Sequence, residues 1–513
     1  MSTNNNAKTH IKNLLNGAGL NMINISIGIV VGLVLTPFLM RSLGQRYYGI
    51  NEIISTFVGC FMLLDLGIDS AVSRFFTLHY TKQEKSECLA IVNTAFFLSL
   101  LFGILGSVCI ILSAIAIYFL YPDAADRLLF LHITLINGAA FGLAFASKIF
   151  FGVVNGTMKQ HLTGSRDVFM RLLGAVLTFV VVYFGGRLYA ISFVNLGMSV
   201  FNLFLMYRLA KFAFPEFVIS WLYFKLIWVR KLFGFAFATF IVVAGDMVAS
   251  RGGIFVIGAM LSMEKVAMFT AISVRLCELY SSLMSTIGGG WLMSWLTYLH
   301  ANNEKKLIDE SLRLAYKICT YSASFMFFGI IIWSHDFIIR WMGEEFLFAY
   351  FSLVIIAAEH WIVFCNMPNT KFLFAIAKHH FLAYCNFVGA IIQIILMVIF
   401  VKLGWGITGV ALGYFLASVP VRGLIIPIYV SRIRQINFFK YYLRIISYML
   451  IAVLGFIIPF IISQQLLAPN YQNLMLTGII SAICYIPFII IFGFNKTEKN
   501  KIKELFLTSF KKK

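Results

Sequence analysis

Long apolar runs alternate with short polar stretches along the whole chain, with no polar block long enough for a separate soluble domain. A helix that crosses a bilayer needs about 20 apolar residues. The apolar runs near 18–40, 49–72, 89–120, 128–154, 167–186, 188–210, 232–261, 266–297, 316–342, 347–371, 380–402, 406–430, 443–466 and 472–493 each reach that length. The pattern predicts an all-α polytopic membrane protein with about fourteen transmembrane helices. The third, seventh and eighth runs are longer than a span requires, so tilt or protrusion is expected there.

The polar stretches fix an orientation. Of 41 Lys and Arg, 29 fall in the N-terminus, the even-numbered loops and the C-terminus, and seven in the odd-numbered loops. Arg41, Arg46, Arg127, Arg187, Lys265, Arg340 and Lys402 are those seven. Positive residues stay on the cytoplasmic side, so both ends and residues 298–315 are expected there, in a cytoplasmic (inner) membrane. A missed span would invert every later loop and destroy the alternation. The net charge of +20 is therefore a topology signal rather than a nucleic-acid-binding patch, and no nucleic-acid partner is expected.

Composition narrows the chemistry further. The outer loops are too short for a catalytic domain. No Gly-rich phosphate loop ending in Lys-Ser/Thr and no His-Glu-x-x-His pattern occurs, so no ATP site, metal or other cofactor is expected and the chain does not read as an enzyme. The eight cysteines lie in or beside apolar runs without paired spacing and read as small buried hydrophobes. No cleavable leader is read before the first run.

A weak repeat organises the spans. Leu43, Gly44, Tyr48, Gly49 and Ile50 after the first run have the same spacing as Leu261, Ser262, Val266, Ala267 and Met268 after the seventh. Six spans separate the two copies, so they share one orientation, a parallel repeat about the membrane normal. This predicts two six-helix lobes plus two C-terminal helices. The boundaries are a cytoplasmic N-terminus at 1–17, an N-lobe at 18–215, a C-lobe at 216–435, spans 13–14 at 436–495 and a basic tail at 496–513. A central cavity is expected between the lobes, with spans 13–14 outside it.

Pro37, Arg41, Leu43-Gly44 and Tyr48-Gly49, followed by Leu64-Asp65-Leu66-Gly67, Ala71 and Arg74-Phe75, resemble the start of the polysaccharide (O-antigen, Wzx-type) flippases of the multidrug/oligosaccharidyl-lipid/polysaccharide (MOP) superfamily. The resemblance extends over the chain in length, span number and two-lobe layout. It implies a V-shaped carrier that moves a lipid-diphosphate-linked oligosaccharide of the polyprenyl type across the membrane by alternating access, for surface polysaccharide or lipopolysaccharide synthesis. A relative that moves a peptidoglycan lipid precursor also has fourteen spans, the last two associated with the lipid tail. A polysaccharide polymerase and glycosyltransferases are the implied partners, besides membrane lipids. A multidrug or toxin exporter of the same superfamily is the alternative. A membrane acyltransferase or polymerase is a more remote one.

Ionisable residues inside apolar runs cost at least ~2.5–3.5 kcal/mol each on insertion scales, so they mark candidate sites. Arg251 and Arg275 lie 12 residues either side of Met263, at the same depth when counted at 1.5 Å per residue. Asp246 and Glu278 lie about one turn deeper. Arg275 and Glu278 share a helix face, whereas Asp246 and Arg251 do not, which leaves Arg251 freer to meet something else. Given the resemblance, the arginines read as diphosphate ligands; interhelical salt bridges are the other reading. Asp65 and Asp69 form a like-charge pair on span two that needs a cation, an arginine or a proton. Lys148 and Arg171 read as snorkelling to the interface. Glu359 and His360, 100° apart, cannot both point straight into a cavity, and either one is a candidate proton carrier or holds a hydrogen-bonded structural role. Gln393 is at similar depth, and Arg422, a third candidate substrate-binding residue beside Arg251 and Arg275, lines the second lobe or pairs with Glu359. Residues 445–495 hold no Asp, Glu, Lys, Arg or His, so spans 13 and 14 read as lipid-facing or as shelter for a lipid tail.

Overall fold

In hydrocarbon, every backbone N–H must find its acceptor within the protein, and an α-helix does this within a single segment. The computed structural model of the chain follows that rule. It describes the backbone of residues 2–65, 68–120, 124–157, 159–288, 290–378, 380–466 and 471–499, and the described elements are all helical. The side chains of residues 2–19, 21, 69–70, 116–120, 124–125, 234–243, 246, 290–291, 294, 301 and 462–466 lie outside the description. Twelve helices among the described residues are long and apolar enough to cross a membrane, making this a multi-pass membrane fold.

The apolar runs fall on helix, but several break where the sequence lets them. The second run is Gln45–Cys60, a tight turn at Phe61–Asp65 and then Ile68–Thr81. Tyr350–Cys365 ends at Asn366, and Pro368 opens Met367–Ala375 at a position where its missing N–H costs nothing. Two wide π segments interrupt helices, Phe269–Val274 and Pro420–Ile425.

By packing, the chain forms two units. One comprises Met1–Met247 with Ser262–Ala267, and the other Val248–Leu261 with Met268–Lys513. The division falls inside the Leu226–Met260 helix, whereas the sequence reading drew its lobe boundary at 215/216.

In the first unit, Lys85–Leu120 packs on Ala124–Gly156, which packs on Leu188–Ala213, while Ser2–Leu43 packs on Gln160–Tyr183. Small residues let these backbones approach. Ser107 Oγ donates to Gly138 O at 2.8 Å, and a Cβ on Gly142 would come within 2.7 Å of that same hydroxyl. The two turns of the sequence repeat meet here. Gly44, at φ +82°, turns Ser2–Leu43 directly into Gln45–Cys60. One turn on, Gly49 lies so close to Met263 that an added Cβ would stand 2.0 Å from the Met263 carbonyl oxygen. Ile50 and Ile54 pack with Met263 in one buried cluster.

The connection 214–225 is pinned to the start of Lys85–Leu120. Asn93 donates to Val218 O and accepts from Ser220 N, and Glu87 accepts from Lys225 and from Trp228 Nε1. Lys85 pairs with Glu216 and holds that carboxyl below its usual range.

In the second unit, Tyr350–Cys365 packs against Lys305–Trp341 and Gly406–Val419. Phe438–Gly455 and Tyr471–Gly493 join through an aromatic core that includes Tyr321, Tyr448, Phe456 and Tyr485. Their outer faces stay apolar and exposed at Leu443, Leu450, Leu454, Met475, Ile479 and Ile483. Cys88, Cys277, Cys319 and Cys365 are buried, as the sequence implied, but Cys109 is exposed on an apolar helix face that also exposes Leu105 and Leu112.

Candidate functional site: an arginine pair sharing one carboxylate

Arg251 sits on the part of Leu226–Met260 that belongs to the second unit. Gln393, 2% exposed, donates to Ala249 O at 2.6 Å and so fixes that helix two residues before Arg251. Arg275 follows the π segment Phe269–Val274 and begins Arg275–Gly288. Glu278, one turn on, lies between the two arginines. Its Oε1 is 3.1 Å from the Arg251 guanidinium and its Oε2 3.2 Å from that of Arg275.

The sequence made the pairing of Arg251 with Asp246 on its own helix poor and left an interhelical salt bridge as the other reading, and such a bridge is present. The partner stands on the neighbouring helix, which a one-helix argument cannot see. Arg251, Arg275 and Glu278 are 38%, 36% and 38% exposed respectively. The cluster is thus charged, tethered and open to a ligand. The Asp246 side chain, placed by the sequence in the same layer, lies outside the described residues.

Glu359 makes the opposite kind of site. It is 1% exposed, its Oε2 meets His360 Nδ1 at 2.6 Å, and its Oε1 accepts from Ser418 Oγ. The Arg422 charge acts on the same carboxylate from the π segment Pro420–Ile425. Proximity to Glu359 was one of the two placements the sequence offered for Arg422. Glu359 and His360, adjacent on one helix, thus pair with each other. His360 also packs on the rings of Tyr280, Phe364 and Tyr414. Cys277, buried on the Arg275–Gly288 helix, feels both Glu278 and Glu359, so the open and closed carboxylates are near neighbours.

Asp65 pairs with Lys148 at 3.2 Å, and the Lys148 ammonium also lies over the Phe145 ring. Lys148 thus supplies a cation to Asp65. Of the expected single face of Asp65, Asp69 and Ser73, Asp65 ends the tight turn Phe61–Asp65 while the other two lie on Ile68–Thr81, and the Asp69 side chain lies outside the description. Arg171 rests on Gly28, whose missing side chain leaves room for the guanidinium. The sequence reading missed Ser418 and both π segments; Pro420 was the available signal for the second. Among the described residues no cluster of His, Cys, Asp and Glu is arranged to hold a metal ion.

Comparison with known proteins now adds to the geometry. Residues 38–351 match the family described as "Polysaccharide biosynthesis protein". No curated protein matches the chain. Among solved structures, the fold is similar to "Lipid II flippase MurJ, inward closed conformation", with TM-score 0.69 and 15% identity over 93% of this chain and 98% of that one. It is also similar to an inward-facing "multidrug resistance MATE family transporter of the MOP superfamily", with TM-score 0.65 and 13% identity over 80% and 96% of the two chains. A MOP superfamily transporter from Pyrococcus furiosus aligns with TM-score 0.57 and 12% identity over 82% and 96%.

Proposed function

Since the chain belongs to the polysaccharide biosynthesis protein family, in the MOP fold, we propose that it is a flippase that carries a lipid-diphosphate-linked oligosaccharide across the cytoplasmic membrane by alternating access. It does so as a transporter, without a catalytic step. In this reading all fourteen apolar runs cross the bilayer, with both ends in the cytoplasm. Glycosyltransferases that build the lipid-linked substrate and a polysaccharide polymerase that uses it are the partners this reading implies.

The observation that carries the proposal is the Arg251–Glu278–Arg275 cluster. Two guanidinium forks converge on one carboxylate within an apolar region, and all three remain more than a third exposed. Arg matches phosphate oxygens in a planar, two-point geometry. A diphosphate brings at least two such groups, so it can take over both forks at once while Glu278 is displaced. Glu278 then serves as the resting-state occupant, and its return to the arginines is what drives release on the far side. Arg422 stays with Glu359 and supports the site rather than touching substrate. Asp65, with Lys148, plays the corresponding supporting role in the first unit.

The exporter reading shares the fold. It is weakened by coverage: the multidrug transporter leaves a fifth of this chain unmatched, whereas the lipid flippase structure spans 93% of it. An arginine pair also suits an anion better than an amphipathic cation. The test is reconstitution into proteoliposomes with a fluorescent polyprenyl diphosphate oligosaccharide on one leaflet. Protein-dependent movement to the other leaflet is expected. Movement of a lipophilic cation with no movement of the lipid would transfer the protein to the exporter class.

A further inference from the structure

A second basic site lies away from the arginine pair, where Lys305–Trp341 begins, Ile426–Ile433 ends and Phe438–Gly455 begins. These are the polar ends of three helices. Between them is a cavity of about 250 Å³. Arg313, Arg434, Lys440 and Arg444 line it, with Asp309 as its one carboxylate. Its floor is aromatic: Tyr316 and Tyr441 lie buried there, Tyr316 donating to Asn369 Oδ1 and the Tyr441 hydroxyl lying 2.9 Å from both Asn369 Oδ1 and the Tyr316 oxygen.

Arg434 is the informative residue. One of its terminal nitrogens pairs with Asp309, and its side chain is only 10% exposed. Its Nε is buried and has no hydrogen-bond partner in the protein. Arg313 spends one donor on the Asp309 carbonyl of its own helix at 3.3 Å, while Arg444 and Lys440 show no carboxylate partner among the described residues. Burying an N–H of a charged group without an acceptor is costly, so the cavity lacks an acceptor that this cluster is built to meet. The Phe438–Gly455 helix starts at its Asn437 cap beside the same cavity and adds the positive end of its dipole.

We propose that this cavity binds a phosphate group, supplied by the headgroup of an anionic membrane lipid. The chemistry of four cations around one cavity selects a phosphate oxygen cluster. The surroundings select the lipid. Phe439, Leu443, Leu450 and Leu454 form an exposed apolar stripe running from the cavity along the same helix, on which acyl chains can lie. The site is separate from the proposed transport site, and a lipid held there steadies the packing of Phe438–Gly455 on Lys305–Trp341.

The full chain, purified and reconstituted in phosphatidylcholine nanodiscs, is titrated with phosphatidylglycerol, with more phosphatidylcholine or with inorganic phosphate, and bound lipid and melting temperature are read together. Phosphatidylglycerol is expected to be retained selectively and to raise the melting temperature, less so at high salt. Arg313→Gln, Lys440→Gln and Arg444→Gln together change exposed residues that leave folding intact, and should weaken retention on the order of tenfold. Arg434→Gln should do the same if it folds. Inorganic phosphate stabilising the wild type but not the triple variant, with phosphatidylglycerol inert, would keep the phosphate site and assign it a soluble ligand. Equal retention of phosphatidylglycerol by the wild type and the triple variant, or equal retention of the two lipids, overturns the proposal.

Discussion

Glu278→Gln separates a phosphate site from a structural salt bridge, because the two readings give binding changes of opposite sign. At 3.1 Å and an effective dielectric of about 20, each Glu278–Arg contact is worth roughly 5 kcal/mol before desolvation and screening. The groups are more than a third exposed, so the net value is far smaller, between the exposed-pair and buried-pair limits, at about 1–3 kcal/mol for the cluster. Removing the carboxylate's charge therefore costs a modest amount of stability. It also frees two guanidinium forks that an incoming diphosphate would otherwise have to strip. If the phosphate recovers about 1–2 kcal/mol of that, binding tightens about five- to thirtyfold. Arg251→Ala removes a charge-assisted contact of about 1.5–3 kcal/mol and should weaken binding about ten- to 150-fold, with Arg251→Lys between. The assay is binding of a polyprenyl diphosphate oligosaccharide to purified protein in nanodiscs, followed by flipping in proteoliposomes. Glu278→Gln is expected to bind more tightly and flip more slowly, since release has lost the group that returns to the arginines. If Glu278→Gln and Arg251→Ala both leave binding unchanged, or both weaken it in step with lost stability, the cluster is a structural bridge and the reasoning fails.

Gly49→Ala should destabilise the protein by about 2 kcal/mol or more, read as a lower melting temperature and poorer folded yield, because its new Cβ meets the Met263 carbonyl rather than a movable side chain. Asp65→Asn and Lys148→Met should each cost about 1–3 kcal/mol and the double variant less than their sum, a coupling measurable by a double-mutant cycle in thermal unfolding. Asn302→Cys, in the exposed turn before Lys305–Trp341, should resist an impermeant thiol reagent added outside intact cells, and ready labelling there would reverse the proposed topology.

The helices were legible because apolar length and loop charge are local properties. Arg251, Arg275, Glu278 and Glu359 were legible as unusual for the same reason: an ionisable side chain in an apolar run stands out whatever it touches. Their partners were not. Glu278 reaches Arg251 across two helices, and Ser418 reaches Glu359 from a third, contacts that depend on packing rather than on spacing along one helix. Depth counted at 1.5 Å per residue ignored the π segment ahead of Arg275, where a wider turn advances less per residue. The Arg434 cavity went unnoticed for a different reason. Arg434, Lys440 and Arg444 had already been accounted for as loop charges that set orientation, and charge counting cannot tell a solvated lysine from a buried guanidinium.

The two π segments bear on why the open and closed clusters differ. Pro420 has no N–H to give to the turn before it, so the helix after Val419 must re-register, and the wide turn that results contains Arg422. Phe269–Val274 has no proline, yet it widens immediately before Arg275. Both segments pack on Tyr350–Cys365, which carries Glu359 and His360. A wide turn weakens a helix, and in hydrocarbon that weakness is tolerated only where neighbours re-satisfy the backbone. Here the common neighbour is the helix with the closed cluster. Glu359, held by Ser418, His360 and the Arg422 charge, is saturated from several sides, and displacing any one of them would strand a buried carboxylate. Glu278 has no such enclosure, and its two arginines are exposed with it. The saturated cluster therefore has no contact to exchange without a large penalty, while the open one can trade a carboxylate for a phosphate at nearly constant charge pairing. A carrier needs this division, since the group that lets go in each cycle must rest on one that does not.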